Sequence, residues 1–571
     1  MIFSSIFFVF AYLPIVLILY YLVPFKFKNL VLLLVSLVFY AWGEPVYVVL
    51  MLFSIAINFV SGLELEYFMD RGEMRKAKYA CIVTAAINLG VLGFYKYYGF
   101  VIENLNAVLP FDIPYTKLAL PIGISFYTFQ TMSYVIDVYR GKVKAQHNPI
   151  TFGAYVSMFP QLIAGPIVRY SDVEQQLMKR TMSIRKFGDG VMWFLQGLGK
   201  KVLIANNMGS IYEAIAVLGA SETSVLTAWI GCFAYTMQIY FDFGGYSDMA
   251  IGLGKMLGFE FMENFNYPYT AKSITDFWRR WHISLSSWFK EYVYIPLGGN
   301  RVGQAKAIRN LLIVWGLTGL WHGAAWNFIF WGLYYGIILI IEKYILKGAL
   351  EKLPSALQHV YTIVLVMFGW VLFFSPSLGS AVSYMGTMLG IGGAGLADLT
   401  GWYYLKSGLV LGIIAAVGST PVVYRRFSKW EHSRNPYKQI ACVVVYAGIF
   451  LISTAYLVNA TYNPFLYFRF LKGKVESAGI QDGEKRANSK TERAYCRQKK
   501  RQPVLAEDDG IWLLRSCSFA CADQPDHAGS IFFGGREPCV IKAAEIRRHR
   551  SDEQRVYGGA GILYIRSVHF S

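Results

Sequence analysis

Two histidines in apolar surroundings are the residues of this sequence best suited to acid–base chemistry. The other six of its eight histidines lie in loops, at the edges of apolar runs or in the last hundred residues: His147, His359, His432, His527, His549 and His569. His282 and His322, by contrast, lie in stretches rich in Trp, Phe and Leu. A titratable side chain inside an apolar stretch is costly and therefore indicates a functional site.

His322 lies within the long apolar run 311–341. An imidazole kept away from water stays neutral, so one ring nitrogen remains able to accept a proton near neutral pH. The pattern favours a catalytic base, and the alternative is a structural histidine hydrogen-bonded across a helix interface. The residues beside it are small and leave space for a substrate or a neighbouring helix: Gly319, Gly323, Ala324 and Ala325.

His282 lies in the aromatic and basic segment 276–290. Phe277, Trp281 and Trp288 fall on or near one face at helical spacing, which is typical of an amphipathic helix at a membrane surface. The functional alternative is that His282 faces the same cavity as His322. The sequence of this segment is compatible with both the surface helix and the cavity-facing histidine.

Three bases in the same segment, Arg279, Arg280 and Lys290, are candidates for binding an anionic substrate such as a phosphate of coenzyme A. Lipid headgroups are an equally good match for them. Trp281 completes the predicted substrate-binding set.

Other chemistry has less support. Asp242 and Asp248 are expected to pair with the arginines of the segment 276–290 in a structural role. The sequence contains no phosphate-binding Gly-rich loop and no Gly-x-Ser-x-Gly nucleophile motif. No CxxC or Cys/His cluster indicates a metal site, so none is predicted.

The composition predicts the type of fold that holds these residues in place. The chain has 571 residues, of which 55% are hydrophobic and 16% charged, whereas soluble domains carry about 25% charged residues. We therefore predict an all-α polytopic membrane protein with about 10–12 crossings, supplemented by short re-entrant helices. The candidate spans are 2–23, 29–43, 46–62, 79–95, 118–136, 150–167, 189–206, 224–240, 311–341, 357–375, 380–396, 404–423 and 438–458.

The basic residues predict the orientation. Alternate early loops are basic, as at 26–28, 71–78 and 140–144, whereas the fourth loop has only Lys96 and Lys117. The basic loops are expected to face the cytoplasm, which places the N-terminus outside. Because the bases lie in short loops, the net charge of +18 indicates anionic lipid and not nucleic acid as the partner.

Two segments differ from the apolar spans. Residues 240–310 are aromatic, Gly-rich and charged, and we expect a funnel of short, broken helices entered from the cytoplasm. From residue 472 the chain is polar without helical or strand periodicity. We predict a catalytic region at 1–470 and a tail at 471–571 that is disordered or is not the natural C-terminus, for instance a frame-shifted translation.

Several motifs resemble those of the membrane-bound O-acyltransferase family, and within it the bacterial alginate O-acetylation branch. The likeness runs from the N-terminus to about Phe470 and is specific in order and spacing. It includes the His282 segment and the motifs at 159–169 (FPQLIAGPIVR), 238–254 (QIYFDFGGYSDMAIGLG), 263–269 (ENFNYPY), 294–301 (YIPLGGNR) and 317–324 (LTGLWHGA).

The resemblance implies a fold, a site and a reaction. His322 matches the family's buried histidine and His282 matches its polar partner, and the two are expected to meet in a tunnel at the thinned centre of a ring of helices. The implied donor is cytoplasmic acetyl-coenzyme A. The implied acceptor side is an extracytoplasmic partner protein and an alginate-like polysaccharide, and the implied location is the inner membrane of a bacterium.

Other functions remain open at this stage. A transporter or flippase for a lipid-linked sugar would show inverted repeats, and none is visible in the sequence. A scaffold subunit of an exopolysaccharide export complex would tolerate changes at both histidines. Within the enzyme class, D-alanyl transfer to teichoic acid, peptidoglycan O-acetylation and lipid acylation are alternatives.

Overall fold

The computed structural model describes residues 1–459, apart from 117, 164, 220–221, 347 and 432, and also residues 465 and 466. Every regular element within these ranges is helical, which confirms the predicted all-α membrane fold. The predicted tail 471–571 lies outside the described residues, as do Lys117 and His432, so the boundary near residue 470 stays a prediction.

The N-terminal half contains eleven α-helices and two π-helical turns. The π turns are Phe8–Tyr12 and Lys200–Ala205. The helices are α1 (Leu13–Leu22), α2 (Phe25–Gly43), α3 (Val48–Asp70), α4 (Met74–Asn106), α5 (Ile124–Tyr139), α6 (Pro149–Ser157), α7 (Phe159–Leu162), α8 (Tyr170–Met178), α9 (Ile184–Gly199), α10 (Asn206–Ala216) and α11 (Val225–Met256).

The C-terminal half begins with short pieces. A 3₁₀ turn, Pro268–Thr270, and a π turn, Lys290–Tyr294, flank the first two of its helices. The helices are α12 (Ile274–Arg280), α13 (Ile283–Phe289), α14 (Gln304–His322), α15 (Trp326–Tyr344), α16 (Ala349–Lys352), α17 (Ser355–Phe374), α18 (Leu378–Met388), α19 (Leu399–Gly418), α20 (Pro421–Glu431) and α21 (Pro436–Asn459).

Six helices in the described part of the chain are long and apolar enough to cross a membrane: α2, α3, α4, α17, α19 and α21. Several other apolar runs form shorter pieces, so the predicted number of crossings stays a prediction. The run 150–167, for example, contains α6 and α7 separated at Met158. Proline residues at the start of both helices favour such a break, because proline suits the first helical turn and not the interior.

Helix α11 belongs to the core of the described part of the chain. Of its 32 residues, 25 are buried, whereas α19 buries only Gly401 and Ala415. A helix buried on all sides belongs to the core, and one with exposed apolar sides suits lipid. Glycines bring α9 and α11 into backbone contact, because a Cβ at Gly245 would lie 2.7 Å from the Gly197 carbonyl oxygen.

The run 311–341 forms two helices, α14 and α15, instead of one span. The chain is extended at Gly323 and Ala325, with φ of −167° and −157°, and the two helices pack on each other beyond this break. Their crossing is close because a Cβ at Gly319 would lie 2.3 Å from the Phe328 carbonyl oxygen. The small residues noted in the sequence therefore accommodate a neighbouring helix, and they place His322 at a helix end.

Candidate active site

His322 is the last residue of α14 and is half-buried. Its imidazole is surrounded by aromatic rings that lie nearly perpendicular to it. The ring centroids are 4.9 Å away for Trp321, 4.9 Å for Trp331 and 5.4 Å for Phe373. This arrangement fixes the ring within an apolar wall while leaving part of it accessible.

His282 is buried and interrupts the segment that the sequence predicts as one amphipathic helix. It lies between α12 and α13 in the left-handed conformation, with φ 47° and ψ 53°. Among the described residues other than glycine, only Tyr267 shares a positive φ. A side-chain-bearing residue in this region costs about 1–2 kcal/mol, and such strain is concentrated at functional sites.

The motif at 263–269 stabilises this break. The Asn264 carbonyl oxygen accepts a hydrogen bond from the Ile283 amide at 3.0 Å. Its side-chain oxygen accepts two more, from the amide and the hydroxyl of Ser284, at 3.1 and 2.9 Å. The Ser284 hydroxyl in turn accepts from the Ile167 amide at 3.0 Å, so segments distant in sequence jointly hold His282 in place.

Glu342 fixes α12, the short helix before His282. The sequence analysis did not identify this residue. Its carboxylate, on α15, accepts hydrogen bonds from the amides of Ile274 and Thr275 at 2.7 and 2.9 Å. It also accepts one from the Thr275 hydroxyl at 2.7 Å. A carboxylate at a helix N-terminus satisfies free amides and the helix dipole. An acidic residue in an apolar helix was the available signal.

The Trp321 indole connects the two histidines. Its ring centroid lies 5.9 Å from that of His282 and 4.9 Å from that of His322, and both imidazoles meet it nearly at right angles. The structure thus brings together two residues that are 40 positions apart in the sequence. Their catalytic roles stay a prediction, but their proximity is the arrangement that the resemblance implies.

Three polar atoms of the rings that line this site make no hydrogen bond to the described residues. They are Nδ1 of His282 and the indole nitrogens Nε1 of Trp321 and Trp331, all buried. Leaving a buried polar group unpaired costs about 1–3 kcal/mol. Such atoms in a native structure require an explanation, for instance a catalytic role or a bound water.

The predicted substrate-binding residues occupy different environments. Arg279 and Lys290 are exposed. Arg280 is partly exposed and donates to Asp276 at 2.9 Å, one helical turn earlier. Trp281 is buried, with its ring 4.9 Å from that of Trp370 and 5.0 Å from that of Phe265. The role of these four residues in substrate binding stays a prediction.

The expected partners of the two aspartates were wrong. Asp242 pairs with Lys201 at 2.5 Å and Asp248 with Lys200 at 2.6 Å, and not with arginines of the segment 276–290. Both lysines lie in the π turn that packs against α11. Across the described part of the chain, no group of three or more His, Cys, Asp or Glu side chains is placed to hold a metal ion.

Lys96 was expected in a loop, and this expectation was wrong. It lies inside α4, and its ammonium group donates hydrogen bonds to the carbonyl oxygen of Trp321 and, at 3.2 Å, to the hydroxyl of Ser125. A lysine directly after the apolar run 79–95 was the available signal, because charged residues within spans are functional candidates.

Comparison with known proteins shows the family of this chain. Residues 142–386 match the model of the membrane-bound O-acyltransferase family. The chain is 45% identical to a probable alginate O-acetylase of Azotobacter vinelandii over 70% of this chain and 80% of that protein. It is 39% identical to one of Pseudomonas putida over 82% of this chain and the full length of that protein.

A relative with a different acceptor in its name is also similar. The chain is 36% identical to the peptidoglycan O-acetyltransferase of Helicobacter pylori, over 70% of this chain and 82% of that protein. These likenesses show that the chain belongs to the membrane-bound O-acyltransferase family, in its alginate O-acetylase branch.

Proposed function

We propose that this protein transfers an acetyl group from cytoplasmic acetyl-coenzyme A across the membrane toward an extracellular, alginate-like polysaccharide, with the help of an extracytoplasmic partner protein. The observation that carries the proposal is the contact of His282 and His322 with the same Trp321 indole. This shared contact supports the proposal that the two imidazoles act on the same reacting group.

His322 acts as the general base. A hydroxyl attacks the thioester carbonyl while His322 accepts its proton, a contribution of typically about 10²–10⁴-fold in rate. The C–O bond forms and the carbonyl oxygen becomes an oxyanion. When the C–S bond breaks, the thiolate of coenzyme A leaves and takes the proton from the imidazolium.

His282 and nearby N–H groups stabilise the oxyanion. The indole N–H groups of Trp321 and Trp331 have no hydrogen-bond acceptor among the described residues, and backbone N–H groups at the site are further candidates. Donors held in place before the reaction stabilise charge in the transition state without reorganisation. The strained backbone of His282 supports such a fixed position.

The donor enters from the cytoplasm. Arg279, Arg280 and Lys290 contact its phosphates, and Trp281 contributes to the same subsite. Both Arg279 and Lys290 are exposed, so they are accessible to a soluble anion. The basic loops near residues 71–78 and 140–144 support a cytoplasmic location of that side, with the N-terminus outside and the protein in the inner membrane of a bacterium.

The acceptor is a polysaccharide of the alginate type. The relatives named as alginate O-acetylases reach 45% identity, against 36% for the peptidoglycan O-acetyltransferase. This order favours alginate over peptidoglycan. D-alanyl transfer is a further alternative within the same reaction class.

Acetyl transfer in membranes tests the proposal. Membranes containing wild type or His322→Ala, in equal detergent-stable amounts, are supplied with radiolabelled acetyl-coenzyme A, partner proteins and polysaccharide. We expect label on protein or polymer with wild type only. A matched control is His359→Ala, because His359 lies on α17 and its ring contacts the Ala271 carbonyl oxygen instead of the paired histidines.

Other outcomes would support other functions. Equal labelling by wild type and His322→Ala refutes the role of His322. Absence of labelling with all components present supports a transporter or a scaffold subunit. Labelling of peptidoglycan instead of alginate keeps the enzyme but changes the acceptor.

A further inference from the structure

We propose that Lys96 is a positioning residue of the active site. It ties the last turn of α14 to α4 and so fixes Trp321 and His322. This inference rests on the proposed role of His322 as the base, and it goes beyond that role by assigning a function to a charged residue of a membrane-spanning helix.

Two adjacent residues of α4 form the tie. The ammonium group of Lys96 donates a hydrogen bond to the carbonyl oxygen of Trp321. The hydroxyl of Tyr97 donates to the carbonyl oxygen of Leu320 at 2.9 Å. The two acceptors directly precede His322, so α4 holds the backbone from which the imidazole projects.

Helix geometry explains why donors are needed at this place. The last four carbonyl groups of a helix have no partner within it, and α14 ends at His322 because the chain is extended at Gly323. Basic side chains near a helix C-terminus bond these carbonyls and interact favourably with the helix dipole. Lys96 supplies such a donor.

The direction of the Lys96 side chain argues against a lipid anchor. A lysine near the end of a span normally extends to the headgroups. The ammonium group of Lys96 instead lies 5.5 Å from the centroid of the Trp321 ring and contacts the Ser125 hydroxyl on α5. Its partners in the described chain are an uncharged carbonyl and a hydroxyl, so no carboxylate accounts for its position.

The hydrogen bond from Lys96 to Trp321 also affects the position of His282. Trp321 contacts both imidazoles, so a shift of its backbone changes the placement of both. A misplacement of about 1 Å at a reacting group can cost about 10²-fold in rate. We therefore expect Lys96 to affect the chemical step and not the affinity for the acyl donor.

The test compares Lys96→Met, Lys96→Arg and Tyr97→Phe in the acetyl-transfer assay, with Lys78→Met as the matched control. Lys78 is exposed near the start of the same helix. We expect Lys96→Met to lower kcat by about 10²-fold with KM for the donor unchanged. Lys96→Arg should restore most of kcat because its guanidinium donates to the same carbonyl, and Tyr97→Phe should cause a smaller loss.

The outcomes separate this inference from the proposed function. If His322→Ala is inactive while Lys96→Met keeps the wild-type kcat, the role of Lys96 is refuted and that of His322 stands. A raised KM at constant kcat also overturns it, since Lys96 would then bind the donor. If Lys96→Met does not fold, folded Lys96→Gln and Lys96→Arg are compared instead, and an equal, large loss of kcat in both, although each keeps a hydrogen-bond donor, overturns the positioning role. If His322→Ala remains active, the proposed function itself fails.

Discussion

Two polar regions of the molecule differ in how their polar side chains are paired. The histidine site comprises His282, His322 and the indoles of Trp321 and Trp331. The Arg169 network comprises the side chains of Asp137, Lys142, Arg169, Asp172 and Glu291. In the network each charge has an opposite partner: Arg169 lies 2.9 Å from Asp172 and 2.5 Å from Glu291, and Lys142 lies 3.3 Å from Glu291 and 3.6 Å from Asp137.

The histidine site leaves polar atoms unpaired. Nδ1 of His282 and the two indole nitrogens have no hydrogen-bond partner among the described residues, and the His282 backbone is strained. A paired network can stabilise the fold, whereas unpaired buried groups only destabilise it. From this difference we expect substitutions in the network to reduce mainly the stability of the fold. Substitutions at the histidine site should reduce mainly the activity.

The largest expected effect is that of His282→Gly on activity. Glycine adopts positive φ without strain, so the melting temperature should stay near that of wild type. Loss of the imidazole should lower acetyl transfer by about 10²–10³-fold. Tyr267→Asn is the control, because asparagine tolerates the left-handed region and Tyr267 lies outside the proposed machinery. A His282→Gly protein that retains wild-type activity would show that the unpaired histidine site is not needed for acetyl transfer.

Gly319→Ala should damage both stability and activity by moving the helix that carries His322. Its Cβ would lie 2.3 Å from the Phe328 carbonyl oxygen, which belongs to backbone and cannot turn away. Overpacking of this kind costs about 1–3 kcal/mol. On the same helix, Gly316 has its nearest neighbour at 4.0 Å, so Gly316→Ala should be neutral or slightly stabilising. Thermal melting in detergent and acetyl transfer compare the two, and equal melting would contradict the close crossing.

Local signals in the sequence were enough to predict the fold class and to select His322 as a candidate, whereas His282 was paired with it only through the family resemblance. A long apolar run and a titratable residue inside it are both visible without knowing the neighbours. The break at Gly323 also has a local signal, since glycine and two alanines follow His322. The predicted helix 276–290 failed at His282 because its left-handed backbone depends on Asn264, which is distant in sequence.

Partners could not be predicted, because they depend on which helices are neighbours. Asp242 was assigned to arginines by sequence proximity, but α11 packs on the π turn that contains Lys201. Lys96 was counted as a loop base because the hydropathy of its surroundings falls near it, yet α4 continues to Asn106. Its contact with Trp321 joins residues 225 positions apart.

Arg169→Met should reduce the stability of the protein and leave its activity unchanged. Asp172 and Glu291 would lose charged hydrogen bonds worth about 1–3 kcal/mol in all, so the melting temperature should fall. Acetyl transfer per folded molecule should stay near wild type, since the network has no proposed role in the reaction. The matched control is Arg185→Met, whose arginine is exposed. A loss of kcat at unchanged stability would make the network part of the catalytic machinery.

The smallest expected effect is a pH dependence of stability that arises from Glu291. Burial alone would raise the pKa of Glu291, but the hydrogen bond from Arg169 and the charges of Arg169 and Lys142 bring that pKa below its ordinary value.

An acid with a lowered pKa stabilises the fold above its ordinary pKa of about 4.3, and this contribution is lost as the pH falls through the lowered value. Wild type should therefore lose more melting temperature than Glu291→Gln between roughly pH 5 and pH 3. The effect is small because the Glu291 side chain remains 34% exposed and water screens its charge. If the melting temperatures of the two proteins fall in parallel over this range, the ionised Glu291 carboxylate does not stabilise the folded state. The network would then contribute through its hydrogen bonds and not through its charges.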